Sequence, residues 1–234
     1  MICIKKHIPN ALTCCNLICG GIATNLAFSG QTEEAMLFII IGAVFDFFDG
    51  FVARLLKVSS PIGKELDSLA DDITFGLAPA AMVFYLLGNL TSGMACPVAK
   101  WIPYTAFLIA AFSGLRLAKF NLDTRQTTSF IGLPTPANAL FWGAFVLGAG
   151  QWLSSWHYSI CLVFALVLLS SYLLIAEIPM FALKFKNFSW GDNKVRYLFL
   201  LVSIALLLLL GITGLSIVIL WYVFLSSLTR KREN

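Results

Sequence analysis

The chain has 234 residues, of which 59% are hydrophobic and only 12% charged, with a formal net charge of +4. Soluble globular domains carry about 25% charged residues, so this composition excludes an ordinary soluble enzyme and describes a polytopic membrane protein. The small positive excess is too weak for a nucleic-acid footprint and reads as orientation information, so no nucleic-acid partner is expected.

Apolar runs predict an all-α bundle of about eight transmembrane helices, near 11–29, 35–56, 66–88, 101–119, 135–153, 158–180, 196–210 and 214–228. The chain opens on Lys5-Lys6-His7 and Ile8-Pro9-Asn10. This stretch is either a short interfacial segment on anionic lipid or an ordinary positive anchor. It runs directly into the first span, with no small-residue cleavage site of a signal peptide. Asn10 and Thr13 open that span, and Asn10 would serve well as an N-cap.

The second and third spans hold the chemistry. Asp46-Phe-Phe-Asp49-Gly50-Phe-Val-Ala53-Arg54 is followed, after eight residues, by Gly63, and then by Asp67 and Asp71 at steps of four. A carboxylate near the bilayer centre costs roughly 2.5–3.5 kcal/mol, so four approach ~10 kcal/mol unless something compensates. The cheapest compensation is a bound cation. Residues three or four apart share one face of a helix, so Asp46 and Asp49 point the same way, as do Asp67 and Asp71. Two such helices, antiparallel and facing, gather four carboxylates around one point. Hard oxygen donors without His or Cys suit magnesium, manganese or calcium. Two ions ~3.5–4 Å apart can share them, as in two-metal phosphoryl chemistry. A proton or cation pathway also places acids in membranes. It has no need of Gly50, Ala53 and Arg54 at fixed offsets. Gly50 and Ala53 continue the acidic face with almost no side chain, and Gly63 is read as breaking the cytoplasmic turn. Asp72 adds a fifth carboxylate of unassigned direction.

Arg116, Lys119 and Asn121 close the fourth span, and Gly132-Leu-Pro134-Thr135-Pro136 opens the fifth with prolines suited to a helix start. Glu177 before Pro179 reads as structural. The apolar stretch from Arg196 to Leu228 is too long for one ordinary span, and Gly211-Ile-Thr-Gly214 offers a turn near its middle. The rival is a single long, tilted helix. With eight spans and both termini cytoplasmic, Lys57, Lys64, Arg116 to Arg125, Lys184 to Arg196 and Arg230-Lys231-Arg232 all fall on the cytoplasmic side, and Lys100 alone does not. Seven spans would misplace the C-terminal tail. Both Asp pairs then face the cytoplasm. His7 and His157 lie outside the motif, and Trp101, Trp152, Trp156 and Trp190 sit at span ends as an aromatic belt does. The six cysteines form neither a metal pattern nor a disulfide framework. One membrane domain, 1–234, accounts for the length, with a core about 10–180 and additional helices about 196–228.

The string Asp-x2-Asp-Gly-x2-Ala-Arg-x8-Gly-x3-Asp-x3-Asp resembles the signature of the CDP-alcohol phosphatidyltransferases at all eight fixed positions. Gly63-Lys-Glu-Leu-Asp67-Ser68-Leu-Ala-Asp71, Phe75-Gly76-Leu-Ala-Pro79, Arg116-Leu-Ala-Lys119-Phe-Asn121 and Gly132-Leu-Pro134-Thr-Pro136-Ala are similar to the phosphatidylserine synthase branch. Asp72 departs from it, standing where that branch usually has an apolar residue.

The resemblance implies transfer of a phosphatidyl group from CDP-diacylglycerol to the hydroxyl of L-serine, with release of CMP, in an integral membrane enzyme that tends to form homodimers. It also implies that Asp46, Asp49, Asp67 and Asp71 hold two divalent cations, Mg2+ or Mn2+, and that Asp71 is the base. Gly50, Ala53, Gly63, Asn10 and Thr13 would line the site of the CDP-lipid. Arg54 is either a pyrophosphate contact or a partner in a structural ion pair. For the serine carboxylate Arg116 is the first candidate, with Asn121 and Lys119 beside it. All three also read as positive-inside or span-end residues. Glycerol phosphate, inositol phosphate and an ether-lipid donor are alternative substrates within the same family, and a cation-coupled transporter is the reading from another class.

Overall fold

The computed structural model describes residues 2–123, 130–181 and 189–229. Arg125, Lys184, Lys186 and Arg230-Lys231-Arg232, expected at the cytoplasmic face, lie outside the described residues, as do the side chains of Lys5 and Lys6.

The architecture is helical, with five helical runs among the described residues long and apolar enough to cross a membrane: His7–Phe28, Thr32–Leu56, Pro61–Thr91, Ala99–Leu122 and Asn193–Leu228, the last of them broken at Gly211. Helix α1 (Ile2–Phe28) begins well before the expected 11, and Pro9 lies inside it. Asn10 is therefore an interior residue and caps nothing. A tight turn at Gly30, with φ of +80°, leads into α2 (Thr32–Leu56). The two helices pack along their length on small residues, with Ala23, Ala27 and Ala35 fully buried.

Helix α2 ends at Lys57, which takes the left-handed conformation usually given to glycine (φ 52°, ψ 43°). The Val58 amide donates to Ala53 O at 3.0 Å and the Lys57 amide to Arg54 O at 3.2 Å, closing the last turn. Ser60 then caps α3 (Pro61–Asp71), its hydroxyl accepting from the Gly63 amide at 3.0 Å, with Pro61 in the first turn. The chain thus turns at Lys57–Ser60, and Gly63 lies within the helix instead of breaking the turn.

Helix α3, a π-helical stretch (Asp72–Leu77) and α4 (Ala78–Thr91) stack into one 31-residue rod. Its α4 end is the centre of the bundle, where Ala78, Ala80, Ala81, Met82, Val83 and Leu87 are fully buried. A 3-10 segment (Ala99–Ala106) runs into α5 (Phe107–Leu122), followed by α6 (Thr135–Ser155) and α7 (Ser159–Ile175). Two-residue strands, β1 (Phe130–Ile131) and β2 (Pro179–Met180), pair antiparallel and tie the entry of α6 to the exit of α7. Gly132, at φ +78°, is needed there, since a Cβ would stand 2.6 Å from Leu174 O. Pro134 and Pro136 open α6, and Trp142 at its centre donates from Nε1 to Ser170 Oγ at 3.1 Å.

The C-terminal stretch folds back on itself. Helix α8 (Trp190–Leu210) stops at Gly211, and after one 3-10 turn α9 (Gly214–Thr229) returns. The rings of Phe199 and Tyr222 are 5.8 Å apart, whereas 23 positions along one straight helix would separate them by about 34 Å. A Cβ on Gly148 would lie 2.8 Å from Thr213 Cβ, so the turn itself rests on α6.

Candidate active site

Helices α2 and α3 each pack on α1 and have little direct contact with one another, so the two acidic faces look at each other across a cleft floored by α1. Asp46, Asp49 and Asp67 offer carboxylate oxygens that all lie within 4.8 Å of one another. Asp71, one turn beyond Asp67, comes within hydrogen-bonding reach of Asp46. Asp49 is buried, at 6% exposure, and the other three are partly buried. Ionised carboxylates at this spacing repel one another, and a shared proton or a counter-cation relieves that repulsion. The donor set, all carboxylate and free of His and Cys, fits a hard divalent ion such as magnesium or manganese.

Helix α1 supplies polar groups to the same cleft through Asn10, Thr13 and Asn16, spaced by three. Thr13 Oγ1 stands 2.6 Å from Asp49 Oδ2, the shorter of its two acceptor contacts; the other, to Pro9 O, is 3.1 Å. The fully buried Asn16 donates from Nδ2 to Asp71 Oδ1 at 3.2 Å. Its backbone carbonyl accepts from the Thr74 hydroxyl at 3.0 Å. Thr74 belongs to the π-helical stretch and is held where Gly20 and Gly42 leave room: a Cβ on Gly20 would come within 2.8 Å of Thr74 Cα. The wider π-helical turn and the two glycines thus set the depth at which Asp71 meets Asn16. Sequence reading passed over Asn16 and Thr74. The polar stripe Asn10, Thr13, Asn16, at helical spacing, was the signal that would have found Asn16.

Beside the carboxylates lies a cavity of about 250 Å3, lined among others by Asn10, Thr13, Asp49, Gly50, Ala53, Gly63 and Asp67. Small residues make the space. A Cβ on Gly63 would stand 2.9 Å from Asn10 Oδ1, so the close approach of α3 to α1 depends on that glycine. Arg54 is exposed at the rim, its Nη1 3.8 Å from where a Gly50 Cβ would be. Among the described residues it has no ion-pair partner.

The three residues at the end of α5 part company. Arg116 is buried, at 8% exposure, with Asp71 and Tyr222 as its electrostatic neighbours and its Nε unpartnered. Lys119 is exposed and lines, with Arg116 and Glu177, a small hollow at the β1–β2 end. Asn121 turns to α3 instead: its Nδ2 donates to Ser68 Oγ at 2.8 Å and its carbonyl accepts from Lys64 Nζ at 2.9 Å. Asp72 is not part of the acidic cluster. Its carboxylate turns towards α5, against Gly76 and Gly114.

The family model for CDP-alcohol phosphatidyltransferases matches residues 6–149. The chain is 37% identical over 132 residues to the CDP-diacylglycerol–serine O-phosphatidyltransferase of Bacillus subtilis (strain 168), covering 56% of this chain and 70% of that protein. It is 34% identical over 185 residues to the protein of the same name from Mycobacterium leprae (strain TN), covering 74% and 57%. A third, from Helicobacter pylori (strain ATCC 700392 / 26695), is 34% identical over 134 residues, covering 56% and 54%. The chain thus spans little more than half the length of the mycobacterial and Helicobacter relatives.

Proposed function

From the premise that the chain belongs to the CDP-alcohol phosphatidyltransferase family, we propose that it makes phosphatidylserine from CDP-diacylglycerol and L-serine. The serine hydroxyl attacks the phosphorus that carries diacylglycerol, a new P–O bond forms to serine, the P–O bond to CMP breaks, and the hydroxyl proton passes to Asp71. The observation that carries the reading is the carboxylate cluster at the wall of a cavity lined by small residues on two helices and polar ones on a third.

Asp46, Asp49, Asp67 and Asp71 would hold two divalent cations, which when bound neutralise the pyrophosphate and the charge that develops on it. The chain's own residues do the rest. Gly50, Ala53 and Gly63 give room to the cytidine part of the donor, Asn10 and Thr13 offer it hydrogen bonds, and Arg54 at the rim reaches a pyrophosphate oxygen. Thr13 and Asn16 orient the Asp49 and Asp71 carboxylates. Arg116 takes the serine carboxylate, supported by its burial next to Asp71 and its free Nε. Lys119 draws the anionic end of the acceptor towards that end of α5, and Asn121 acts by holding α3 through Ser68.

The chain crosses the membrane eight times, with both termini and the active site on the cytoplasmic side, and works as a homodimer. The reversal at Gly211–Gly214 supports an even count, and the distribution of Lys and Arg supports the orientation. The deciding experiment is CMP release by the purified full-length protein in micelles containing CDP-diacylglycerol. Release that depends on L-serine, and not on glycerol 3-phosphate or inositol phosphate, is expected. Release with either phosphate ester in place of serine reassigns the acceptor, and no release with any alcohol overturns the reading.

A further inference from the structure

A guanidinium on a long, flexible stem tends to carry its charge out to the nearest polar face, so one kept inside a helical bundle needs neighbours that hold it there. Arg116 is such a group, 8% exposed on α5 and with its Nε unpartnered. Phe120, one turn further along α5, places its ring 5.8 Å from the guanidinium carbon. Asp71 of α3 and Tyr222 of α9 are its electrostatic neighbours. Tyr222 is itself fixed. Its hydroxyl donates to Phe181 O at 3.0 Å, and its ring stands edge-on to Phe181 at 4.9 Å and to Phe199 at 5.8 Å between centroids. A phenol has a single proton, and this one is engaged by Phe181, so towards any other group the oxygen offers lone pairs alone. That suits a cationic N–H donor. The phenol is also neutral. A carboxylate in its place would pair with Arg116 and compete with an anionic substrate group, whereas a phenol steadies the guanidinium and leaves its charge available. Tyr222 lies well beyond residue 149, where the match to the family model ends.

We propose that Tyr222 is a positioning residue of the acceptor site: it holds the Arg116 guanidinium in place for the acceptor's carboxylate, so that the hairpin of α8 and α9 completes a site whose reacting groups lie on α1 to α5. The proposal rests on the reading of Arg116 as the group that takes the serine carboxylate, and deepens it. Tyr222 touches neither substrate and acts through Arg116. Its ring is held in turn by Phe181, which follows β2, and by Phe199 of α8, so the seating of the hairpin is transmitted to one side chain of α5. The donor side is independent of this contact. The cavity beside the carboxylates is lined, among the described residues, from α1, α2, α3 and the turn between α2 and α3. Loss of the Tyr222 oxygen should therefore be felt in the affinity for serine and not in that for the CDP-lipid.

The test is a double-mutant cycle on the purified full-length protein, with Tyr222→Phe, Arg116→Ala and the two combined, read as CMP release against L-serine and against CDP-diacylglycerol. Tyr222→Phe keeps the ring and removes the oxygen. Its KM for L-serine is expected to rise about three- to ten-fold, with kcat and the KM for CDP-diacylglycerol changing less than about two-fold. With the guanidinium gone there is nothing left to position, so Tyr222→Phe should add less than about two-fold to the serine KM of Arg116→Ala. A serine KM unmoved by Tyr222→Phe overturns the proposal. The same rise in both backgrounds overturns it too, because Tyr222 then acts independently of Arg116, and a rise shared by both substrates marks Tyr222 as structural. If Arg116→Ala releases no measurable CMP, Arg116→Lys takes its place in the cycle, since an ammonium lacks the planar fork that the phenol is there to aim, and the same outcomes decide. A wild type that releases no CMP with serine, or an Arg116→Ala variant with the wild-type KM for serine, removes the reading beneath the proposal, which falls with it; either result is distinct from an active wild type with an indifferent Tyr222→Phe variant.

Discussion

Asn16 and Asp71 are 55 residues apart in the chain and are joined by one hydrogen bond, from the Asn16 amide to Asp71 Oδ1 at 3.2 Å. The bond crosses from α1 to the end of α3 and fixes which way the Asp71 carboxylate faces. Asn16→Leu keeps the size of the side chain and removes the donor. With Asp71 free to turn, kcat should fall about 10- to 100-fold while the KM for the CDP-lipid changes little. Steady-state kinetics on both substrates check this, and a change confined to KM would mean that Asn16 serves binding instead.

Chelation gives the second expectation. Because the cluster contains carboxylates and no built-in cation, EDTA should abolish CMP release and manganese or magnesium should restore it. Manganese binding followed by electron paramagnetic resonance reads the site without turnover, and full activity in chelator would rule out a metal-dependent centre.

Substitution by Asn separates ligand from base. Asp46→Asn and Asp67→Asn should weaken metal binding and recover part of their rate at high manganese. Asp71→Asn should stay about 10^2–10^4-fold below wild type at every concentration, since it also loses the proton acceptor. Rate against manganese for the three variants decides. Recovery of Asp71→Asn to the level of the others makes Asp71 a ligand alone.

Two neighbouring glycines in α1 should behave in opposite ways. A Cβ on Gly20 would stand 2.8 Å from Thr74 Cα and 2.9 Å from Thr74 N, whereas one on Gly21 would meet nothing within 4 Å. Gly20→Ala should therefore lower stability by about 1–3 kcal/mol, and Gly21→Ala should leave it unchanged or raise it by about 0.5–1 kcal/mol. Thermal unfolding in detergent tests the pair; equal melting temperatures would mean that Thr74 is not seated against Gly20.

The C-terminal reversal predicts where reporters work. On the proposed eight-span arrangement the two points would lie on opposite sides of the membrane, so green fluorescent protein fused after Thr229 should fluoresce and alkaline phosphatase fused at Gly211 should be active. Activity of the phosphatase at both points would replace the hairpin by a single tilted span.

The acidic half of the site was legible because helical spacing alone puts Asp46 with Asp49 and Asp67 with Asp71, and the cost of four carboxylates in an apolar chain demands an explanation. The turn at Gly211–Gly214 was legible for a related reason: an apolar run too long for one span, with glycines near its middle. What escaped depended on partners far along the chain. Asn121 reads as a polar residue at a span end, and nothing in its neighbours announces Ser68. The π-helical stretch widens the backbone without a residue signature, so Thr74 could not be matched to Asn16. The start of α1 was misplaced because Asn10 reads as an N-cap, whereas the helix runs through it from Ile2.

The carboxylates and the α1 groups that touch them all fall between Pro9 and Thr74, while Tyr222 reaches Arg116 from the last helix. At a synthesis rate of about 5–20 residues per second, roughly 8–30 s separate the emergence of Asp71 from that of Tyr222. The four carboxylates are therefore made well before the C-terminal helices, and their mutual repulsion would have to be relieved, by protons or by a cation, in a chain still entering the membrane. Capture of a cation at that stage would let the first three helices settle together before their C-terminal neighbours are made.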